Sequence, residues 1–176
     1  MAKDLILASG SRFRKKMLAD AGITFRVVAA DVDEHAIKTA MTEDNPDIDA
    51  ADVAEVLARA KAEQVSAAHP EALVIGADQV LVCDGELFSK PPSIAAARIQ
   101  LLRLRGRPHT LSTAVALAVG GETVWSLLDE PQLTMRLFSH AFLDTYLAAE
   151  GEAVTETVGG YALEGRQALK AALGQF

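Results

Sequence analysis

"ALVIGADQVLVCDGELFSKPP", residues 72–92, is the stretch on which the fold turns. Residues 72–78 are continuous and apolar, as befits a strand central to a sheet. Asp84-Gly85 then predicts a tight turn, with apolar arms on either side forming a hairpin. One segment therefore offers both a buried central strand and an antiparallel partner. The sheet it enters is expected to be mixed.

Working outward toward the amino end, an Ala-rich helix is expected over residues 50–68, preceded by a polar stretch, 41–48, with a turn at Asn45-Pro46. "TFRVVAA", 24–30, reads as a strand followed by an acidic loop, "DVDE", 31–34. "DLILA", 4–8, reads as a short buried strand. A helix follows Ser11 with apolar positions at Phe13, Met17, Leu18 and Ala21, and Gly22 stops it. Toward the carboxyl end, Ser93 caps a helix running to Arg105, and Gly106 terminates it. Strands are expected at 109–119, 122–128 and 132–138, then a helix from Ser139 to near Gly151. "GGYALEG", 159–165, is a short strand or loop before a last helix. Strands alternate with helices early and hairpins gather late, so the fold class is α/β. We expect one domain, 1–176, with two lobes around a cleft.

Composition narrows the function classes. The 176 residues suit one domain with a sizeable core, half of them are apolar, and the formal charge is −7. That charge argues against a nucleic-acid or membrane surface built on a net basic field. Cys83 is the only cysteine, which excludes an internal disulfide and a cysteine-based metal site. The amino terminus shows no secretory apolar region, and no stretch approaches the roughly 20 apolar residues that span a bilayer. A cytoplasmic location is expected.

Against that acidity stands "RFRKK", 12–16. Arg12, Arg14, Lys15 and Lys16 crowd the amino end of a helix, where the dipole disfavours cations and favours anions. The cluster is either a solvated face or a site for something strongly negative. The Walker spacing is absent, so it is not a P-loop. Ser9 and Ser11 can cap the helix, touch an anion, or both. Three early strands end in polar residues: Ser9 and Ser11, then Asp33 and Glu34, then Asp78 and Gln79. If these strands are parallel neighbours, their tips share one crevice. Cations beside carboxylates suit a polyphosphate with a divalent metal. Asp78 is either a strand-end turn former or a partly desolvated carboxylate able to activate water. Lys90, before Pro91-Pro92, sits in a stiffened loop. Lys61 by itself reads as a surface lysine of its helix. His35, His69, His109 and His140 show no ligand spacing.

Taken in order, "LILASGSRFRKKML", "DVDE", "LARAKA", "VIGADQVLVCDGELFSKP" and "GGYALEG" resemble the Maf family of nucleotide pyrophosphatases, from about residue 5 to the end. The resemblance implies an elongated α/β fold with a deep cleft, similar to the inosine triphosphatases, and hydrolysis of a nucleoside triphosphate to monophosphate and pyrophosphate. It implies a divalent metal, Mg²⁺ or Mn²⁺, and relatives that are often homodimers. Position by position, Ser11, Arg14 and Lys15 match the phosphate-gripping motif. Glu34 matches the acidic residue after the second strand and, with Asp78, would hold the metal. Lys61 matches a helical lysine, Asp78 the proton acceptor, and Lys90 the lysine of the "K-P" loop.

The chain also departs from the family pattern. Arg12 stands for a usual proline, Phe13 for a frequent arginine, and Ala114 for a glycine. The carboxyl end lacks an apolar tail that relatives usually carry. Phe13, Gln79 and Glu164 resemble the branch that acts on 7-methyl-GTP. A methylated guanine carries positive charge that stacks well on an aromatic face, and Glu164 can accept from its N–H edge. Phe13 serves equally well as a core residue of its helix. Two other readings stand beside this one: a pyrophosphatase for dTTP, UTP and modified pyrimidine triphosphates, and a nucleotide-binding regulator of cell division without turnover.

Overall fold

The computed structural model describes residues 4–45 and 48–162 of the chain. Strand β1 (Leu5–Leu7) leads into helix α1 (Arg12–Asp20) and the two-residue strand β2 (Arg26–Val27). Helices α2 (Glu34–Asp44) and α3 (Ala50–Ala68) follow, then the long strand β3 (Leu73–Cys83) and its hairpin partner β4 (Glu86–Phe88). Helix α4 (Ile94–Leu104) precedes strands β5 (Pro108–Val119), β6 (Glu122–Asp129) and β7 (Gln132–Thr134). Helix α5 (His140–Glu150) and two short 3-10 turns close the described chain.

Among the described residues these strands form one mixed sheet ordered β2-β1-β3-β5-β6, with β4 on β3 and β7 on β5. β1 runs parallel to both β2 and β3, while β3 with β4, and β5 with β6 and β7, pair antiparallel. Asp84 and Gly85, at φ 52° and 78°, make the tight turn that the sequence predicts between β3 and β4. The helices begin as expected on side-chain caps: Ser11, Ser93 and Ser139 each accept from a backbone N–H of the first turn.

The chain divides into two compact units. The first runs through Gln79 and takes in Ser112–Asp129; the second holds Val80–Leu111 and the chain from Glu130 onward. In the first, Ile6, Ala8, Val65, Ala72 and Val74 form a core, and α3 lays a stripe of Ala54, Leu57, Ala58, Ala62 and Val65 inward. Gly76 lets β3 come hard against α3, since a Cβ there would lie 2.2 Å from the Ala58 carbonyl oxygen. The second unit is built on Leu81, Leu101, Leu104, Met135, Leu143 and Val154.

Several elements differ from the sequence reading; β7, for one, keeps only Gln132–Thr134 of the 132–138 expected. Asp78 does not end a strand. β1 pairs with β3 only as far as Ile75, yet β3 stays extended to Cys83 because β4 and β5 continue to partner it. The segment after "DVD" is a helix rather than a loop: Asp33 caps α2 by accepting from the Ala36 N–H, and Glu34 is its first residue. β2 keeps two exposed residues of the seven expected, as an edge strand with one neighbour. The expected last helix, like Glu164, lies outside the described residues. No helix among the described residues is long and apolar enough to cross a membrane.

Candidate functional site

The site assembles within the first unit, around a lysine buried where a helix meets a strand. Lys61 occupies the inward stripe of α3 and is 8% exposed, while Asp78 on β3 is 5% exposed. The close approach at Gly76 brings the two elements near enough for the Lys61 ammonium to donate to Asp78 Oδ1 at 2.6 Å. The same ammonium reaches Glu34 Oε1, at the start of α2, at 2.8 Å. Lys61 therefore bridges two carboxylates that lie far apart in sequence. Removing one member of such a buried pair typically costs about 3–5 kcal/mol, because the survivor is left as an unpaired buried charge.

A second cation comes from α1. Arg14 Nη1 donates to Ser9 Oγ at 3.2 Å, and Ser9 also accepts from the Ser11 N–H. Burial pulls the Arg14 guanidinium below its ordinary value, while the charges of Asp78 and Glu34 pull it back up. Those interactions place Arg14 in the field of both carboxylates. Ser11 caps α1, accepting from the Arg14 N–H. Lys15 is half-buried and makes no ion pair among the described residues. α1 itself contributes no buried residue and has no acidic residue in its first turn. Its amino end is a cationic surface anchored by capping.

Asp78 Oδ2 is buried and has no hydrogen-bond partner among the described residues. Buried polar atoms seldom stay unpaired in native proteins without a reason. A carboxylate held by one oxygen and free at the other can accept a proton or hold a hard cation. The described residues include no cluster of three or more potential ligands for a metal ion. The donors at hand are the hard carboxylates of Asp78 and Glu34. Hard oxygens of this kind are the donor type that a Mg²⁺-like ion takes, and these two residues are the ones that could hold one.

The base-facing candidates are placed less closely together. Phe13 is half-buried on α1, and the Arg12 guanidinium lies over its ring, 4.8 Å from the centroid. Gln79 follows Asp78 on β3, so its side chain points to the opposite face of the sheet, where Nε2 donates to Thr113 Oγ1 at 2.9 Å. Lys90 is exposed on the link between β4 and α4, in the second unit. Glu164 lies outside the described residues.

The residues alone left Lys61 as a surface lysine and Glu34 as part of a loop. A usable signal was present for each. Lys61 falls on the apolar stripe set by Ala54, Leu57, Ala58 and Val65, where a charge requires a partner. Asp33 before "EHAI" is a helix start, with Ile37 and Met41 spaced four apart behind it.

Comparison with known proteins adds an independent line. A family model described as Maf-like protein matches residues 4–173. A nucleoside triphosphate pyrophosphatase of Paramagnetospirillum magneticum is 52% identical over 162 residues, covering 91% of this chain and 81% of that protein. A nucleoside triphosphate pyrophosphatase of Maricaulis maris is 48% identical, covering 91% and 80%. A 7-methyl-GTP pyrophosphatase of Brucella abortus is 41% identical, covering 94% of this chain and 82% of that protein.

Proposed function

The chain belongs to the Maf-like protein family, and from that premise we propose that it is a pyrophosphatase that cleaves a nucleoside triphosphate, 7-methyl-GTP, to the monophosphate and pyrophosphate. The observation that carries the reading is the cluster itself: Lys61 bridging Glu34 and Asp78, with Arg14 in their field and one Asp78 oxygen without a hydrogen-bond partner among the described residues. Anion-holding cations and a partly satisfied buried carboxylate serve phosphoryl chemistry with water.

In this reading a water attacks the α-phosphorus in line, and Asp78 Oδ2 takes its proton as the new P–O bond forms. The bond to the bridging oxygen breaks, and the electron pair leaves with pyrophosphate. Lys61 fixes Asp78 through its other oxygen, so the base is oriented before substrate arrives. Arg14, Lys15 and Lys61 offset the charge of the phosphate oxygens, the contribution on which phosphoryl transfer chiefly depends. Ser11 holds the amino end of α1 in place for the same task. Lys90 enters the proposal through its motif alone. Glu34 and Asp78 would hold the divalent cation, which when bound neutralises phosphate charge.

For the base, the support is the Phe13 ring. Its face already receives one delocalised cation, the Arg12 guanidinium, and 7-methylguanine presents another. Gln79 and Glu164 enter the base reading through their motif positions alone. The test is a panel of triphosphates assayed for pyrophosphate and monophosphate together, with Mg²⁺ or Mn²⁺ supplied. Turnover of 7-methyl-GTP exceeding that of UTP and dTTP by about tenfold, equivalent to roughly 1.4 kcal/mol, supports the base reading. Preference for UTP overturns it and leaves the pyrophosphatase reading in place. Absence of turnover on every triphosphate, with tight binding, favours a nucleotide-binding regulator.

A further inference from the structure

Helix α2 carries Glu34 to Lys61, yet none of its residues is buried. A helix whose large apolar residues, Ile37 and Met41, are only half-buried takes less positional definition from apolar packing, so polar links share that task. Besides the Lys61–Glu34 ion pair, the link that stands out is made by Gln64, three residues after Lys61 on α3. Its Nε2 donates to the Asp31 carbonyl oxygen at 2.6 Å, and its Oε1 accepts from the Asp31 N–H at 2.8 Å. Both ends of one amide thus grip both backbone groups of one residue, which fixes the amide's orientation as well as its position. From Asp31 the chain is short and tied. The Glu34 N–H donates to the Val32 carbonyl, and Asp33 caps α2 through the Ala36 N–H.

We propose that Gln64 is a positioning residue for Glu34. Through the backbone of Asp31 it holds the entry to α2 so that the Glu34 carboxylate meets Lys61. One helix then sets both halves of the ion pair: Lys61 directly, and Glu34 through a clamp one turn further along. The clamp is a side chain gripping a backbone, so it acts whatever the side chains at 31 and 32 are. This proposal rests on the pyrophosphatase reading for its kinetic test and not for its structural one.

The experiment compares wild type with Gln64→Leu and Gln64→Glu. Leu removes both hydrogen bonds, and Glu sets a carboxylate against the Asp31 carbonyl. With a triphosphate that wild type hydrolyses, kcat/KM should fall about ten- to a hundredfold in both, the scale of a misplaced site group. Neither change should lower kcat/KM further in a Glu34→Gln background. Amide hydrogen exchange adds a reading that needs no turnover: α2 should lose protection in Gln64→Leu while α3 and β3 keep theirs. Unchanged α2 protection overturns the proposal. An equal kinetic loss with or without Glu34 also overturns it, by showing that Gln64 acts through the fold. If wild type hydrolyses no triphosphate, the functional reading fails, and the exchange data still judge the clamp.

Discussion

In the first unit Lys61, Asp78, Glu34 and Arg14 gather charge around a carboxylate oxygen with no partner among the described residues. In the second, His109, Tyr161 and Tyr146 bury polar groups that are neutral and paired. His109 Nε2 and the Tyr161 hydroxyl share a hydrogen bond at 2.5 Å, and the Tyr146 hydroxyl donates to the Gly160 carbonyl at 2.9 Å. Burial lowers the His109 pKa and raises those of both tyrosines, so all three stay uncharged at neutral pH. The charged cluster leaves Asp78 Oδ2 without a hydrogen-bond partner among the described residues, while the hydroxyls of Tyr146 and Tyr161 and the Nε2 of His109 are paired. A satisfied neutral network stabilises a fold, whereas an incompletely satisfied charged one is poised for a ligand.

Substitutions that cross this divide should break it. The largest effect belongs to Lys61→Met. It should cost about 3 kcal/mol of stability by stranding Asp78, along with most of the turnover. Adding Asp78→Asn should recover stability and not activity, as denaturant titration beside a pyrophosphate assay will read. Arg14→Ala comes next, raising KM about tenfold or more with a smaller change in kcat, as expected when a phosphate grip is lost. In the other unit Tyr161→Phe should leave kcat and KM alone and lower stability by about 1–2 kcal/mol, because His109 loses its partner.

The smallest effect is a pH dependence. His109 is buried neutral with a lowered pKa. As pH falls through the ordinary value of about 6.5, the unfolded chain binds a proton that the folded protein refuses. Stability should therefore decline below that pH, by at most about 1.4 kcal/mol per pH unit, and level off below the folded value. Chemical denaturation of wild type and His109→Gln between pH 5 and 8 should show the slope only in wild type.

Legibility in the sequence followed the same divide. Elements with local signals were readable: α3 over Ala50–Ala68, the Asp84-Gly85 hairpin and the serine-capped helices all stand where periodicity and turn chemistry put them. The parallel placing of β2, β1 and β3 was the condition on which the polar strand tips would meet, and the strand pairings fulfil it. What local signals could not supply was tertiary. That β3 continues past Asp78 depends on partners more than twenty residues away in β5. That Lys61 turns inward depends on Gly76 admitting the helix. From the residues Glu34 stood out only as part of an acidic strand tip, and Lys61 was drawn into the site by the family resemblance.

The central claim is that Asp78 Oδ2, which has no hydrogen-bond partner among the described residues, receives the proton of the attacking water. Its most direct test is Asp78→Asn, measured for nucleotide binding by calorimetry and for single-turnover hydrolysis with the same triphosphate. The account predicts binding within a fewfold of wild type and a rate lowered by about a thousandfold, the range of general-base loss. Hydrolysis by the Asn variant at the wild-type rate would contradict it.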